Sequence, residues 1–420
     1  MVKKNTTIAK PWLILFSLLI FCGILVIFEV LLRFHYCLLN PFPGTDVGQV
    51  PKRCRNLQVD QFEFNIPYRY NSRGFRGEEI EPLAKGTKRI LFLGDSFTEG
   101  FGVDENDRFS NRVIAKLGVP YQQINLGQLA TNPDIYLKNL QQAGIYLDPE
   151  LVIFCVFIGN DFMGGRYVKR DSVGLFKKPQ DLEKLNDSKK AHVIYLNELL
   201  RQTITKEKKL VLKKTGKNYW ELYFNQKIDL AFHAKMIGRK KEELKPAISR
   251  MNPQNVLLAS EGKIHFGIFQ LALKAQLGIP EKSEDFYNEP DYQNTFFSIR
   301  EAFRLTTSHR KKFLVLVIPD VTEIHENEFF QNLAKNYGIK EKIKRLEELP
   351  KLHRRLVSDL VRESIPFVDP SSLLKQATGL SYYLNDCHMN RQGHQILADA
   401  LISEIRPALR GGIWDMEDGR

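Results

Sequence analysis

Apolar residues in this chain gather into short runs separated by segments with helical spacing. Ile90–Leu93, inside "KRILFLGDS", reads as a buried strand, and "YQQINLG" as a short second one ending at Gly127. Leu151–Ile158 is a third, closed by Gly159-Asn160-Asp161, and "KKFLVLVIPD", residues 311–320, is a fourth. "IPFVDP" supplies a brief fifth. Between them, Phe109, Val113, Ile114 and Leu117 recur at helical spacing and stop at Gly118, while residues 133–146 are helical in character. A charged helix is expected from the fourth strand to about Glu363. The last helix, about Arg391 to Ile405, puts Ile396, Leu397, Ala400, Leu401 and Ile405 on one face.

Strands alternating with helices predict a mostly parallel sheet covered by helices, in which ligands gather at the carboxyl ends of the strands. The rhythm breaks between about Met163 and Ser308, where the patterns are mainly helical. Trp220, Tyr223, Phe224, Phe232 and Phe266 are interspersed there and are better explained as core packing than as a ligand box. No internal repeat is present.

At 43% hydrophobic and 26% charged residues, the 420-residue chain has a globular balance with enough apolar mass for a large core. One stretch departs from it. Pro11–Phe34 runs 18 residues without a charge before Glu29, long enough to span a bilayer core of about 30 Å as a helix. It exceeds a signal-peptide apolar region and no small-x-small cleavage site follows, so an uncleaved anchor is expected. Lys3, Lys4 and Lys10 precede it, which puts the N-terminus in the cytoplasm and the remaining chain outside. Glu29 and Arg33 are spaced to pair along the helix near the interface. Outside the membrane, Cys37 and Cys54 would either close a loop as a disulfide, contributing about 3 kcal/mol, or remain two thiols.

The net charge of +12 matches the excess of about 22 basic over about 10 acidic residues between Met163 and Arg250. That stretch is either a solvated helical insertion or a docking face for an anionic surface or polymer. No nucleic-acid module accompanies it, so no nucleic-acid partner is expected.

The turns at the strand ends carry the candidate chemistry. Gly94-Asp95-Ser96 alone reads most simply as a helix cap, because Asp and Ser accept hydrogen bonds from free N–H groups at a helix start. Acyl transfer through a serine needs an exposed hydroxyl, a base, a group that orients the base, and donors for the oxyanion. Ser96 offers the hydroxyl; His388 offers the base and Asp386 the orienter, both in "LNDCHMNRQGH". The N–H groups of Ser96 and Gly127 and the side-chain amide of Asn160 offer the oxyanion donors. Asp95 and Asp161 are expected to fix their turns, His394 to be structural, and Cys387 to be a poor rival to Ser96 as nucleophile.

The ordered set "GDSFTEG", "INLG", "GND" and "DCHMNRQGH" resembles the four sequence blocks of the SGNH (GDSL-like) hydrolase superfamily, named for its Ser, Gly, Asn and His. The likeness covers about 90–162 and 311–405. It implies a flavodoxin-like three-layer α/β/α sandwich, with Ser96 as nucleophile, Gly127 and Asn160 as oxyanion donors, and Asp386 with His388 completing a triad. "NSRGFRG" and the anchor are similar to membrane-tethered bacterial members, implying an inner-membrane protein with an extracytoplasmic catalytic domain. The commonest pattern separates Asp and His by two residues; here only Cys387 intervenes, a spacing also found in tethered and polysaccharide-modifying relatives. Asn385, at the usual offset, is the alternative orienter.

The organisation expected is a tail (1–10), an anchor (11–34), a lead-in (35–87), the two parts of the hydrolase domain (88–162 and 309–408) around the insertion (163–308), and a C-terminal tail (409–420). The activity expected is ester hydrolysis, removing acyl or acetyl groups from a carbohydrate or lipid-linked substrate. The rivals are an O-acyltransferase of envelope or exported polysaccharide using the same acyl-enzyme, and a non-catalytic glycan- or lipid-binding module. No metal-binding helix, paired CxxC or phosphate loop appears, so no cofactor or metal is expected.

Overall fold

The computed structural model describes residues 12, 15–25, 27, 56–129, 131–163, 233–234, 237–340 and 343–409. The expected N-terminal tail, Cys37, Cys54, Trp220, Tyr223, Phe224, Phe232 and most of the basic stretch lie outside them. Residues 15–25 are helical and exposed throughout. Among the described residues no helix is long and apolar enough to cross a membrane.

β1 (Asn56–Asp60) and β2 (Asn65–Arg69) form an antiparallel hairpin. The sequence reading named no strand in the lead-in, because five-residue strands, one containing Pro67, give too short an alternation to stand out. β3 (Lys88–Leu93), β4 (Tyr121–Asn125), β5 (Pro149–Phe157), β6 (Lys312–Ile318) and β7 (Phe367–Val368) make one sheet in the order β4-β3-β5-β6-β7, parallel throughout. This is the flavodoxin-like strand order, with the first strand of the sheet flanked by the second and third.

The two faces of the sheet are read off the strands residue by residue. Ile90, Phe92, Ile153, Cys155, Leu314 and Leu316 enter one core, and Leu91, Leu93, Val152, Phe154, Val315 and Val317 enter the other. Strand side chains alternate across the sheet, so uninterrupted apolar runs require cover on both faces. The first core is closed by the helices Phe109–Leu117, Phe266–Gln276, Glu326–Tyr337 and Arg391–Leu409. The second is closed by Pro133–Gln142, Glu289–Ser308 and Arg345–Arg362. Each fully buried Leu, Ile, Val or Phe contributes about 1.5–3 kcal/mol.

Two expectations change. The helix Glu289–Ser308, placed by sequence in the insertion, puts Tyr292, Phe296, Ile299 and Ala302 against the sheet and bridges β5 to β6 as part of the sandwich. The charged helix expected after β6 is broken into Val321–Ile324, Glu326–Tyr337 and Arg345–Arg362, with Gly338 ending the second at φ +68°.

Candidate active site

β3 ends at Leu93, and the chain must turn sharply to start a helix. Gly94 permits this: a Cβ there would lie 2.0 Å from Thr98 Oγ1 and 3.0 Å from Cys155 Cβ. Asp95 is the cap of the helix Ser96–Glu99, its Oδ1 accepting from Phe97 N–H at 2.9 Å. The capping task that a lone Gly-Asp-Ser suggests therefore falls to Asp95. Ser96 sits in the first turn, where backbone N–H groups have no partner within the helix.

The Ser96 hydroxyl meets His388 Nε2 at 2.8 Å, and His388 Nδ1 meets Asp386 Oδ1 at 2.6 Å. All three residues are buried. The Asp-x-His spacing works because Cys387 has φ +71°, reversing the chain so that side chains two residues apart face each other. The same oxygen of Asp386 also accepts His388 N–H at 3.3 Å. Reciprocal backbone bonds, Cys387 N–H to Tyr383 O and Tyr383 N–H to His388 O, both 2.9 Å, close the loop. Phe97 and Phe101 flank the His388 ring at 4.9 and 4.8 Å between centroids.

Asn385 does not compete as orienter. Its Oδ1 accepts from Asn332 Nδ2 at 3.2 Å and from the Tyr337 hydroxyl at 3.3 Å. Burial pulls the Asp386 pKa upward, but the charge and hydrogen bond of His388 outweigh it and leave Asp386 below the ordinary carboxylate value. Burial pushes the Cys387 thiol well up, which removes the thiolate a nucleophile would need. His394 accepts Phe109 N–H at 3.2 Å and stacks on the Phe109 ring, and burial holds its pKa down at about 3.

Gly127 needs correction as an oxyanion donor. Its N–H donates to Asn125 Oδ1 at 2.8 Å, and a Cβ there would lie 2.4 Å from Glu99 N and 2.7 Å from Thr98 C. The glycine is required because the turn after β4 packs directly on the backbone of the helix bearing Ser96. Asn160 follows β5, which neighbours β3 in the sheet; its side chain is exposed while its carbonyl accepts Met163 N–H at 3.1 Å. Asp161 fixes that turn, accepting from Phe157 N–H at 2.9 Å and the Tyr136 hydroxyl at 2.8 Å. Burial, reinforced by Asp95, raises Asp161 well above the carboxylate range, and burial brings Asp95 to about 6.

Several residues unassigned by sequence hold the site. Glu99 accepts from the Tyr70 hydroxyl at 2.6 Å and from Leu129 N–H. Arg76, in the lead-in, donates to the carbonyls of Gly100 and Val103, and Arg108 Nη1 donates to Arg76 O at 2.9 Å. Glu63, on the β1–β2 hairpin, accepts from Leu384 and Asn385 N–H, both at 2.9 Å. Glu99 and Arg76 lay within quoted motifs, "GDSFTEG" and "NSRGFRG", but without a role; Tyr70, Arg108 and Glu63 lay outside them and are of ordinary type. Among the described residues no three His, Cys, Asp or Glu side chains form a metal-binding group.

No family model matches the sequence, and no curated protein matches it either. Solved structures similar to the chain include a GDSL-like lipase from Bacteroides thetaiotaomicron (12% identity, 78% of this chain and 92% of that one, TM-score 0.36). An acetylxylan esterase from Geobacillus stearothermophilus, solved as a catalytic mutant, is 11% identical over 77% of this chain and 96% of its own, with a TM-score of 0.36. A carbohydrate acetylesterase family member from Sinorhizobium meliloti is 11% identical over 76% and 98%, with a TM-score of 0.32. Likeness of this degree carries no argument about activity, which rests on the site itself.

Proposed function

We propose that the chain is a serine esterase of SGNH type, held at a bacterial inner membrane by its N-terminal apolar segment with the catalytic domain outside the cytoplasm. The observation that carries the chemistry is the continuous line from Ser96 Oγ through His388 to Asp386, 2.8 and 2.6 Å long at its two links. The exposed helical residues 15–25 and the lysines before them support the anchor.

In the reaction, His388 Nε2 takes the hydroxyl proton as Ser96 Oγ bonds to the ester carbonyl carbon, whose π electrons move onto oxygen. Ser96 N–H and the Asn160 amide stabilise that oxyanion. Collapse breaks the bond to the alcohol oxygen, which leaves with the proton from His388, and the acyl group stays on Ser96. Water then attacks, giving its proton to His388, and the carboxylic acid is released as the proton returns to Ser96. Asp386 stays ionised throughout, holding the Nδ1 proton of His388 in place.

The substrate proposed is an acyl or acetyl ester on a carbohydrate or lipid-linked glycan. The test is turnover of short-chain p-nitrophenyl esters, with and without a glycan acceptor, by the parent chain, Ser96→Ala and His388→Ala. Turnover by the parent that both variants lose is the expected result. Equal turnover by the parent and Ser96→Ala removes the catalytic reading and leaves a binding module. Transfer to the glycan outpacing hydrolysis replaces the esterase by an acyltransferase.

A further inference from the structure

The loop that carries Asp386 and His388 has no regular secondary structure, so its geometry depends on what grips it. Pro319, Gly102 and His325 hold its Tyr382, Tyr383 and Ser381, and three further elements hold the peptide groups immediately before Asp386. Glu63, in the turn between β1 and β2, accepts Leu384 N–H at Oε1 and Asn385 N–H at Oε2, each at 2.9 Å. The N–H of His265, at the head of the helix Phe266–Gln276, donates to Asn385 O at 3.3 Å. Asn332 Nδ2, on the helix Glu326–Tyr337, donates to Leu384 O at 3.2 Å.

Of the three contacts on the Leu384 and Asn385 peptide groups, the Glu63 carboxylate alone changes charge. Two parallel N–H bonds to one ionised carboxylate are charge-assisted, and protonating either oxygen turns an acceptor into a donor facing an N–H group. We propose that Glu63 is a positioning residue for the Asp386–His388 pair, its ionised carboxylate holding the two peptide groups immediately before Asp386 so that the loop keeps His388 on Ser96. The proposal rests on the serine-esterase reading of the site.

The surrounding charges make this ionisation matter near neutrality. Burial, with the Asp386 charge adding to it, pushes Glu63 up to about 7. The ionisable neighbours on the loop are Asp386, Cys387 and Tyr383; Tyr337 lies on the helix Glu326–Tyr337. Asp386 is held below the ordinary carboxylate value, while burial raises the thiol and both phenols. Burial lowers His265 to about 4. Beside the hairpin, Lys263 is paired with Asp60. Glu63 must be ionised to accept both peptide N–H groups in this way.

The experiment is the pH dependence of kcat/KM for p-nitrophenyl acetate, measured on the full chain with Glu63→Gln and Glu63→Asp. In the parent, the acid limb contains one more ionisation than in Glu63→Gln, so its logarithmic slope is steeper by one proton. Asp95, beneath Ser96, is present in all three proteins and cancels from the comparison. Glu63→Gln, which keeps one acceptor and sets an amide N–H against the other peptide, lowers kcat about 10-fold or more with little change in KM. Glu63→Asp keeps the extra proton while losing rate, and it decides the matter if Glu63→Gln melts below the assay temperature. Slopes that agree between parent and Glu63→Gln, or an Asp variant that loses the extra proton, overturn the proposal while leaving the serine reading intact. A parent without esterase activity overturns both.

Discussion

At the scale of single residues, the site turns on which side chain does which task. Asp95 takes the helix cap and leaves Ser96 Oγ for His388, while Cys387, in a left-handed conformation, lets Asp386 reach the ring two positions on. Asp386→Ala should lower kcat about 10⁴-fold, as loss of the group orienting a catalytic histidine does. Asn385→Ala, removing a side chain that faces Asn332 and Tyr337, should instead be read chiefly in thermal melting. Comparable kinetic losses in the two variants would mean the orienter is misassigned. Asn160→Ala tests the proposed side-chain oxyanion donor: a loss of about 10²–10³ in kcat with KM nearly unchanged is expected, and an unchanged kcat would remove Asn160 from the chemistry.

The sequence made Ser96, Asp386 and His388 legible because their partners recur at strand ends and before the last helix. Gly127 was legible as a position but not as a role. A glycine can serve by offering its N–H or by lacking a Cβ, and only the geometry, with Asn125 Oδ1 on the N–H and the Thr98–Glu99 backbone against Cα, separates the two. Glu63 was invisible for a different reason. Its partners are peptide N–H groups more than 300 positions away, and backbone donors carry no sequence signature.

At the scale of elements, apolar runs identified the strands well, because both faces of the sheet are covered and every residue in β3, β5 and β6 beyond the first two is apolar. The helix Glu289–Ser308 was assigned to the insertion since the patterns from Met163 to Ser308 read as mainly helical with no strand among them to mark a boundary. Contact with the neighbouring layers, not local pattern, decides where an insertion ends. One element junction carries a measurable charge cluster. His353, on the helix Arg345–Arg362, lies between Glu323 at 2.9 Å and Asp369 at 3.1 Å, the latter just beyond β7. Burial alone would lower its pKa, but the two carboxylates overcome that and raise it from 6.5 to about 9. A raised folded-state pKa gives stability that is fully present below about 6.5 and is lost as pH rises through about 9. The expected size is about 3 kcal/mol at most, counting the depressed pKa of Asp369 as the other face of the same interaction. Urea unfolding of the parent should weaken across that window, and His353→Gln should flatten the dependence; an equally steep loss in the variant would place its origin elsewhere.

At the scale of the whole molecule, the site is assembled from parts that lie far apart along the chain. The helix Ser96–Glu99 after β3 and the segment before the last helix supply Ser96, Asp386 and His388. The lead-in hairpin supplies Glu63, and the stretch between β5 and β6 supplies His265 against Asn385. Segments outside the four sequence blocks are thus bound to the loop bearing Asp386 and His388, and substitutions in them should register in turnover as well as in stability. The central claim is that Ser96 is the nucleophile and that His388 activates it. The most direct measurement is peptide mass mapping of the full chain after treatment with a fluorophosphonate that modifies activated serines. The account predicts a single adduct on the peptide containing Ser96, abolished in Ser96→Ala and strongly slowed in His388→Ala. No adduct on the folded parent, or an adduct that survives in Ser96→Ala, would contradict it.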